Sequence, residues 1–317
     1  MPCLHSFRAC SQLACALSDN PALQSLVKGV QLCPSGAEGQ HVSAEDRANL
    51  RFILALDGLQ HVALGGLLAV QAEKFLRVIG DPESVLELHI DGSLLSHALS
   101  FRPSLEWDEW IAFQFTHLKT LRLTNIDLDI SYPSTPYQLQ LYELRLDNVT
   151  IMSGYISYLV HETPFLSRLC VRSSRVSEFD AQIRLLLDTC GIEILELEVE
   201  MDGPWRQPIF DSDLPLLSSL HSLHLAGVQV DFDMLISIGR KCRNLEHLSI
   251  LGRTITVLPS EWVSFISAGY LERLRSLGLP WGTRYPPFAR WSGSAGDAVL
   301  RAAAPYNIHV LAAGPEC

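Results

Sequence analysis

One phrase recurs along the chain: an apolar residue, two variable ones, an apolar residue, one variable, and a third apolar residue. The clearest copies are Leu118-Leu121-Leu123, Leu141-Leu144-Leu146, Leu166-Leu169-Val171, Leu220-Leu223-Leu225, Leu245-Leu248-Ile250 and Leu274-Leu277-Leu279. Weaker copies fill the gaps at Val27-Val30-Leu32, Leu59-Val62-Leu64, Val85-Leu88-Ile90 and Ile194-Leu197-Val199. Between Val27 and Leu274 the phrase returns every ~27 residues on average, the period of a stacked strand-and-helix unit. Chance supplies one or two such phrases, not a long series. Length alone suggests two ordinary domains, but that reading fails for repeat arrays, so the period overrides it.

Each unit so spaced is a short strand followed by a helix, and neither buries its apolar face without the next unit stacked on it. The pattern therefore predicts an α/β fold, a leucine-rich-repeat solenoid (horseshoe) with a parallel concave sheet and convex helices. Residues 1–26 read as an N-terminal helical cap and 27–295 as an array of about ten repeats. Residues 296–317 read as a C-terminal cap and tail, with a helix at Ala298–Ala304 and a strand at Ile308–Val310. Helices are expected at Asp180–Cys190, where Ile183, Leu186 and Leu187 share a face, and around Phe232, Leu235, Ile236 and Gly239. Asp231 and Ser260 are expected N-caps, and Ser43 with Asp46 has capping-box spacing. Ser100–Trp110, Ser131–Gln140 and Pro280–Trp291 interrupt the period and are expected to be loops. Binding residues concentrate on such loops.

The run Cys242-Arg243-Asn244-Leu245-Glu246-His247-Leu248-Ser249-Ile250 and the phrase Pro164-Phe165-Leu166-Ser167-Arg168-Leu169 resemble repeats of the fungal F-box/leucine-rich-repeat protein family. The opening stretch Asp19–Val30 is similar to the segment in which such proteins pass from the F-box into their repeats. The resemblance implies substrate recognition for a ubiquitin ligase, with the F-box docked on a Skp1-type adaptor and its cullin. Two departures stand out. No F-box is recognisable before Val27, and the asparagine expected after each strand is displaced. Ile126, Val149 and Val228 stand there, with Asn125, Asn148 and Gly227 one place earlier.

The formal net charge of -11, from 24 Lys and Arg against 35 Asp and Glu, disfavours a phosphate-tracking surface, so no nucleic-acid partner is expected. No stretch is apolar for long enough to span a membrane, and Met1–Leu17 mixes its apolar residues with His5, Ser6, Arg8, Ser11 and Gln12, unlike a secretory signal. The eight cysteines form no CxxC pair, which fits reduced thiols and a cytoplasmic or nuclear location. Phosphate-loop, dinucleotide, nucleophile-elbow and zincin motifs are missing from the sequence. No catalytic residue, cofactor or metal ligand is assigned.

Strand side chains alternate between faces, so the third, fifth and seventh places of each phrase point away from the core. The third places give a lane of Glu143, Arg168 and Glu196, and the seventh places a lane of Asp147, Arg172 and Glu200. Opposite charges on neighbouring strands are expected to hold the sheet together. The middle lane reads His89, Arg122, Arg145, Cys170, Glu198, His224 and Ser249. Its neighbouring arginines disfavour the sheet unless Glu143, an anion or a partner carboxylate compensates. The expected partner-binding residues are Arg122, Arg145, Arg168, Arg172, Glu198 and His224, facing a protein on the concave side. His224 beside Glu198, with His221 and His247 near, offers a rival reading as a hydrolase-type acid/base pair, and a free-standing scaffold without a ligase link is the other rival. A metal there would need three or four converging ligands.

Overall fold

The computed structural model describes residues 2–34, 42–93, 102–134, 139–160, 165–173, 180–199, 209–211, 213–252, 256–279 and 291–312. The chain divides into two compact units, Met1–Leu166 and Ser167–Cys317. It is α/β, with six parallel strands in each unit, ten of the twelve falling on the repeat phrases.

In the first unit the elements run β1 (Cys3–Leu4), α1 (Phe7–Asp19), β2 (Gly29–Leu32), α2 (Ala44–Leu54), β3 (His61–Gly65), α3 (Ala72–Leu76) and β4 (Glu87–Asp91). They continue through β5 (Ser104–Trp107), α4 (Glu109–Gln114), β6 (Thr120–Thr124), β7 (Asp127–Ile130), β8 (Glu143–Asp147), β9 (Thr150–Ser153) and α5 (Ile156–Leu159). Strands β1, β2, β3, β4, β6 and β8 lie side by side in that order, all parallel. The phrase sets their register: Val30 is opposite Val62, Val62 opposite Leu88, Leu88 opposite Leu121, and Leu121 opposite Leu144. These residues and the third members Leu32, Leu64, Ile90, Leu123 and Leu146 are all buried, so one face of the sheet is core.

Parallel neighbours need crossovers, and the early ones are helical as expected. The Ser43 hydroxyl accepts from the Asp46 N–H at 3.0 Å and the Asp46 carboxylate accepts from the Ser43 N–H at 3.3 Å, the reciprocal cap read from the sequence. From residue 102 onward the crossovers change character. Strands β5, β7 and β9 form a second parallel sheet, β5 within the expected loop Ser100–Trp110 and β7 and β9 where the repeat called for convex helices. The cause is local. The interval from Leu121 to Leu144 is shorter than the mean, and Ser104-Leu105-Glu106-Trp107 and Asp127-Leu128-Asp129-Ile130 alternate with a period of two. Leu105, Trp107, Leu128 and Ile130 are buried accordingly.

Asn125 and Asn148 stand directly after β6 and β8 in the left-handed region, both with φ 52°, which their short polar side chains tolerate. This displaced position is what lets Ile126 and Val149 turn into the core. The Asn148 side chain donates to Asn125 Oδ1, and Arg102 donates to Asn148 Oδ1 at 3.1 Å and Thr150 Oγ1 at 3.0 Å. At the far end of β9, Gly154 has φ 82°, and a Cβ there would lie 2.0 Å from the Ile130 carbonyl oxygen, so only glycine fits.

The second unit contains β10 (Arg168–Ser173), α6 (Asp180–Thr189), β11 (Ile194–Val199), β12 (Ser222–Ala226), α7 (Phe232–Lys241), β13 (His247–Leu251), α8 (Pro259–Ser267), β14 (Ser276–Leu279), α9 (Gly293–Ala303) and β15 (His309–Ala312). Its six strands are parallel in chain order. Asp231 caps α7, accepting from the Met234 N–H at 2.8 Å. The buried face of α7 is Met234, Leu235, Ile238 and Gly239, whereas Phe232 and Ile236 are half-buried. Ser260 is not a cap. Pro259 occupies the first turn of α8, the Leu258 N–H bonds Glu261 at 2.7 Å, and Ser260 is already helical. Ser292 caps α9, which therefore starts earlier than Ala298.

The repeat phrase around β11 is also corrected. Leu169 is opposite Leu195, and Leu195 opposite Leu223, so the phrase is Ile192-Leu195-Leu197 rather than Ile194-Leu197-Val199. Apolar residues at 192, 194, 195, 197 and 199 fit either alignment, and burial decides between them: Ile192 is 3% exposed while Ile194 is half-buried. No helix among the described residues is long and apolar enough to cross a membrane. The described cysteines are free thiols. Burial pushes the Cys10 thiol up to about 11 and the Cys242 thiol up to about 12.

Candidate protein-binding face

Opposite the core, the first unit's large sheet presents a polar face. Register aligns Gln31, Ala63, His89, Arg122 and Arg145 across five neighbouring strands. Arg122 and Arg145 are thus direct neighbours of like charge, as the sequence implied. Glu143, which begins β8, is the compensating group. One of its oxygens lies 3.5 Å from an Arg122 terminal nitrogen and 3.3 Å from an Arg145 terminal nitrogen. One carboxylate therefore serves two guanidiniums, and Glu143 is only 9% exposed. The Nε atoms of both arginines and that Glu143 oxygen are buried without a hydrogen-bond partner of good geometry. The arginine side chains remain about two-fifths exposed, at 42% and 39%.

His89 sits beside Arg122 with Nε2 3.3 Å from the Thr124 hydroxyl. Burial holds its pKa below the usual histidine value; Arg122 and Arg145 push in the same direction and Asp91 and Asp147 oppose them. Ala63 is the small residue of the lane, and above it lies a hollow of about 220 Å³ walled by Gln31, His61, Glu87, His89, Thr120 and Arg122. His61 Nδ1 lies 3.0 Å from a Glu87 carboxylate oxygen on its rim. The lane sequence showed a missing side chain at Ala63, a signal sequence reading passed over.

In the second unit Arg168 pairs with Glu196 at 2.7 Å, and Arg172 Nε donates to Glu198 at 2.7 Å. These are cross-strand ion pairs, although the Arg168 Nε, like those of Arg122 and Arg145, is buried without a hydrogen-bond partner. The corrected register moves Glu198 out of the middle lane. His224 is opposite Glu196 and Ser249, whereas Glu198 is opposite Arg172 and Ala226. The His224–Glu198 couple required by the acid/base reading is therefore not formed. His247 Nδ1 instead contacts the Ser276 hydroxyl at 2.7 Å, and among the described residues no His, Cys, Asp and Glu group is arranged to hold a metal. Of the six expected binding residues, the structure brings Arg122 and Arg145 together in one unit and engages Arg168, Arg172 and Glu198 in pairing within the other. Of the three expected loops, residues 280–290 lie outside the described residues, and Ser100–Trp110 contains β5 and the start of α4.

No family model matches the chain, and no curated protein is a significant match to it.

Proposed function

We propose that this chain is a non-enzymatic protein-interaction module of leucine-rich-repeat type, a horseshoe solenoid whose concave sheet receives another protein. The observation that supports it is the Arg122–Arg145 pair, two half-exposed guanidiniums on adjacent strands sharing one buried carboxylate. Such a pair has donor capacity left over, and a partner carboxylate matches the planar fork of arginine in geometry and charge. The specific role we attach is substrate recognition for a ubiquitin ligase, which rests on the resemblance of the repeat phrases. The compartment consistent with that role is cytoplasm or nucleus.

The test needs care because Glu143 depends on both arginines. Replacing Arg122 and Arg145 with alanine leaves a nearly buried carboxylate without a cation, at a cost of about 1–3 kcal/mol, so stability falls along with binding. The triple variant Arg122→Gln/Glu143→Gln/Arg145→Gln removes the charges together and should melt within a few degrees of wild type. Purifying both tagged chains from native cells and identifying co-purifying proteins should show a partner retained by wild type and lost by the triple variant. Skp1-type and cullin subunits in the wild-type sample support the ligase role. A partner set indifferent to the triple variant would sink the arginine site.

A further inference from the structure

The hollow over Ala63 is shaped by one small side chain and walled by groups of opposite charge. Gln31 lies opposite Ala63, and Ala63 opposite His89, so a methyl group stands between two long polar side chains. The space this leaves is about 220 Å³. Pockets for cofactors and drug-sized ligands run from about 300 to 1,000 Å³, so this one takes a single side chain rather than a whole metabolite. Anchors of that kind, inserted into a pocket of the facing protein, carry most of the binding energy of an interface.

Its walls decide the chemistry of the occupant. Glu87 is opposite Thr120 and His89 opposite Arg122, which sets Arg122 on the strand next to Glu87 and two residues further along. The guanidinium wall disfavours a lysine or arginine in the hollow. The Glu87 carboxylate disfavours an aspartate or glutamate, and its contact with His61 at 3.0 Å cancels that charge only if the imidazole is protonated. A neutral side chain with a hydrogen-bond donor meets neither penalty. His61 contacts Glu87 Oε2, and a carboxylate has about four acceptor sites, so acceptor capacity remains. Ala63, the methylenes of Gln31 and Arg122, and the His89 ring offer apolar contact to a flat body. Tyrosine and tryptophan join such a body to one donor, and the small volume favours the smaller ring.

Taking the partner of this face to be a protein, as its proposed function requires, we infer that the hollow over Ala63 receives a tyrosine of that partner, the ring between His89 and Arg122 and the phenol hydroxyl donating to Glu87. The Arg122 guanidinium then lies against the ring as a cation–π contact while a terminal nitrogen stays with Glu143. The hollow lies over β3 and β4 and the arginine pair on β6 and β8, the next two strands, roughly 10 Å away at ~4.8 Å per strand. An extended segment advances about 7 Å in two residues, and the length of a glutamate side chain covers the rest. The partner sequence that fits is therefore tyrosine, any residue, glutamate.

Three capped tripeptides, acetyl-Tyr-Gly-Glu-amide, acetyl-Phe-Gly-Glu-amide and acetyl-Tyr-Gly-Gln-amide, are titrated against the full chain and two variants by ligand-observed saturation-transfer NMR. The phenylalanine form should bind wild type about fivefold more weakly, the net value of one hydrogen bond whose acceptor is otherwise reached by water. Ala63→Leu, which fills the hollow and leaves every charge in place, should weaken all three at least about tenfold. Glu87→Ala should bring the tyrosine and phenylalanine forms within about twofold of each other, and it decides the matter where Ala63→Leu melts well below wild type. No binding of the tyrosine forms by wild type, equal affinity for tyrosine and phenylalanine, a tyrosine preference that survives Glu87→Ala, or a normally melting Ala63→Leu chain that binds as wild type does would each overturn the inference. Equal binding of the glutamate and glutamine forms, with the other effects intact, would leave the tyrosine in the hollow and overturn the arginine pair as the site of the partner's acid.

Discussion

His89 shows how far a single position can be read from its surroundings. In sequence it is one histidine in a variable lane, and only the paired strands reveal that it is mostly shielded beside two arginines. Its pKa lies below the usual value in the folded chain, so the unfolded chain takes up a proton first, near pH ~6.5. Stability from this residue is therefore full above that pH and is lost as pH falls through the window beneath it. His89→Gln should lose less melting temperature than wild type between pH 7.5 and 5.0. Parallel pH profiles for the two chains would show that His89 titrates as freely folded as unfolded. The alternation that points Arg122 and Arg145 outward was legible because strand period depends on backbone geometry alone. The sharing of Glu143 was foreseen only as one option, since side-chain reach between strands depends on a register that no single phrase encodes.

At the scale of elements, the six-residue phrase carried most of the information. Leu146 is its third member on β8 and is 1% exposed, so Leu146→Ala should cost about 2–5 kcal/mol by transfer loss and cavity formation. Urea denaturation would measure it, and a shift under about 1 kcal/mol would mean that the site collapses or is not core. Two element-level readings went astray for a common reason. Around β11 the apolar residues satisfied two alignments that differ by two places, and both keep the same side chains outward, so parity could not choose between them. In the segment carrying β5, β7 and β9, the expectations of a loop at Ser100–Trp110 and of convex helices after it followed the mean period instead of the local alternation of Leu105, Trp107, Leu128 and Ile130. Average spacing describes an array, while each crossover obeys its own residues.

For the whole molecule, charge is the most general constraint. With a formal net charge of -11 and its clearest cationic feature limited to two arginines sharing an acid, the chain should leave a labelled DNA duplex unshifted in gel electrophoresis at low salt. A retarded band that disappears with added salt would contradict this. The division at Leu166 and Ser167 was not legible, because the repeat continues across it without a change of composition. Of the two buried thiols described in each unit, Cys10 at 1% exposure in the first and Cys242 at 0% in the second are the deeper, both holding their protons firmly. A thiolate is the reactive form, so neither sulfur meets an alkylating reagent until its own surroundings open. These two sulfurs are thus internal clocks, one per unit, whose alkylation rates report separately how often each half breathes.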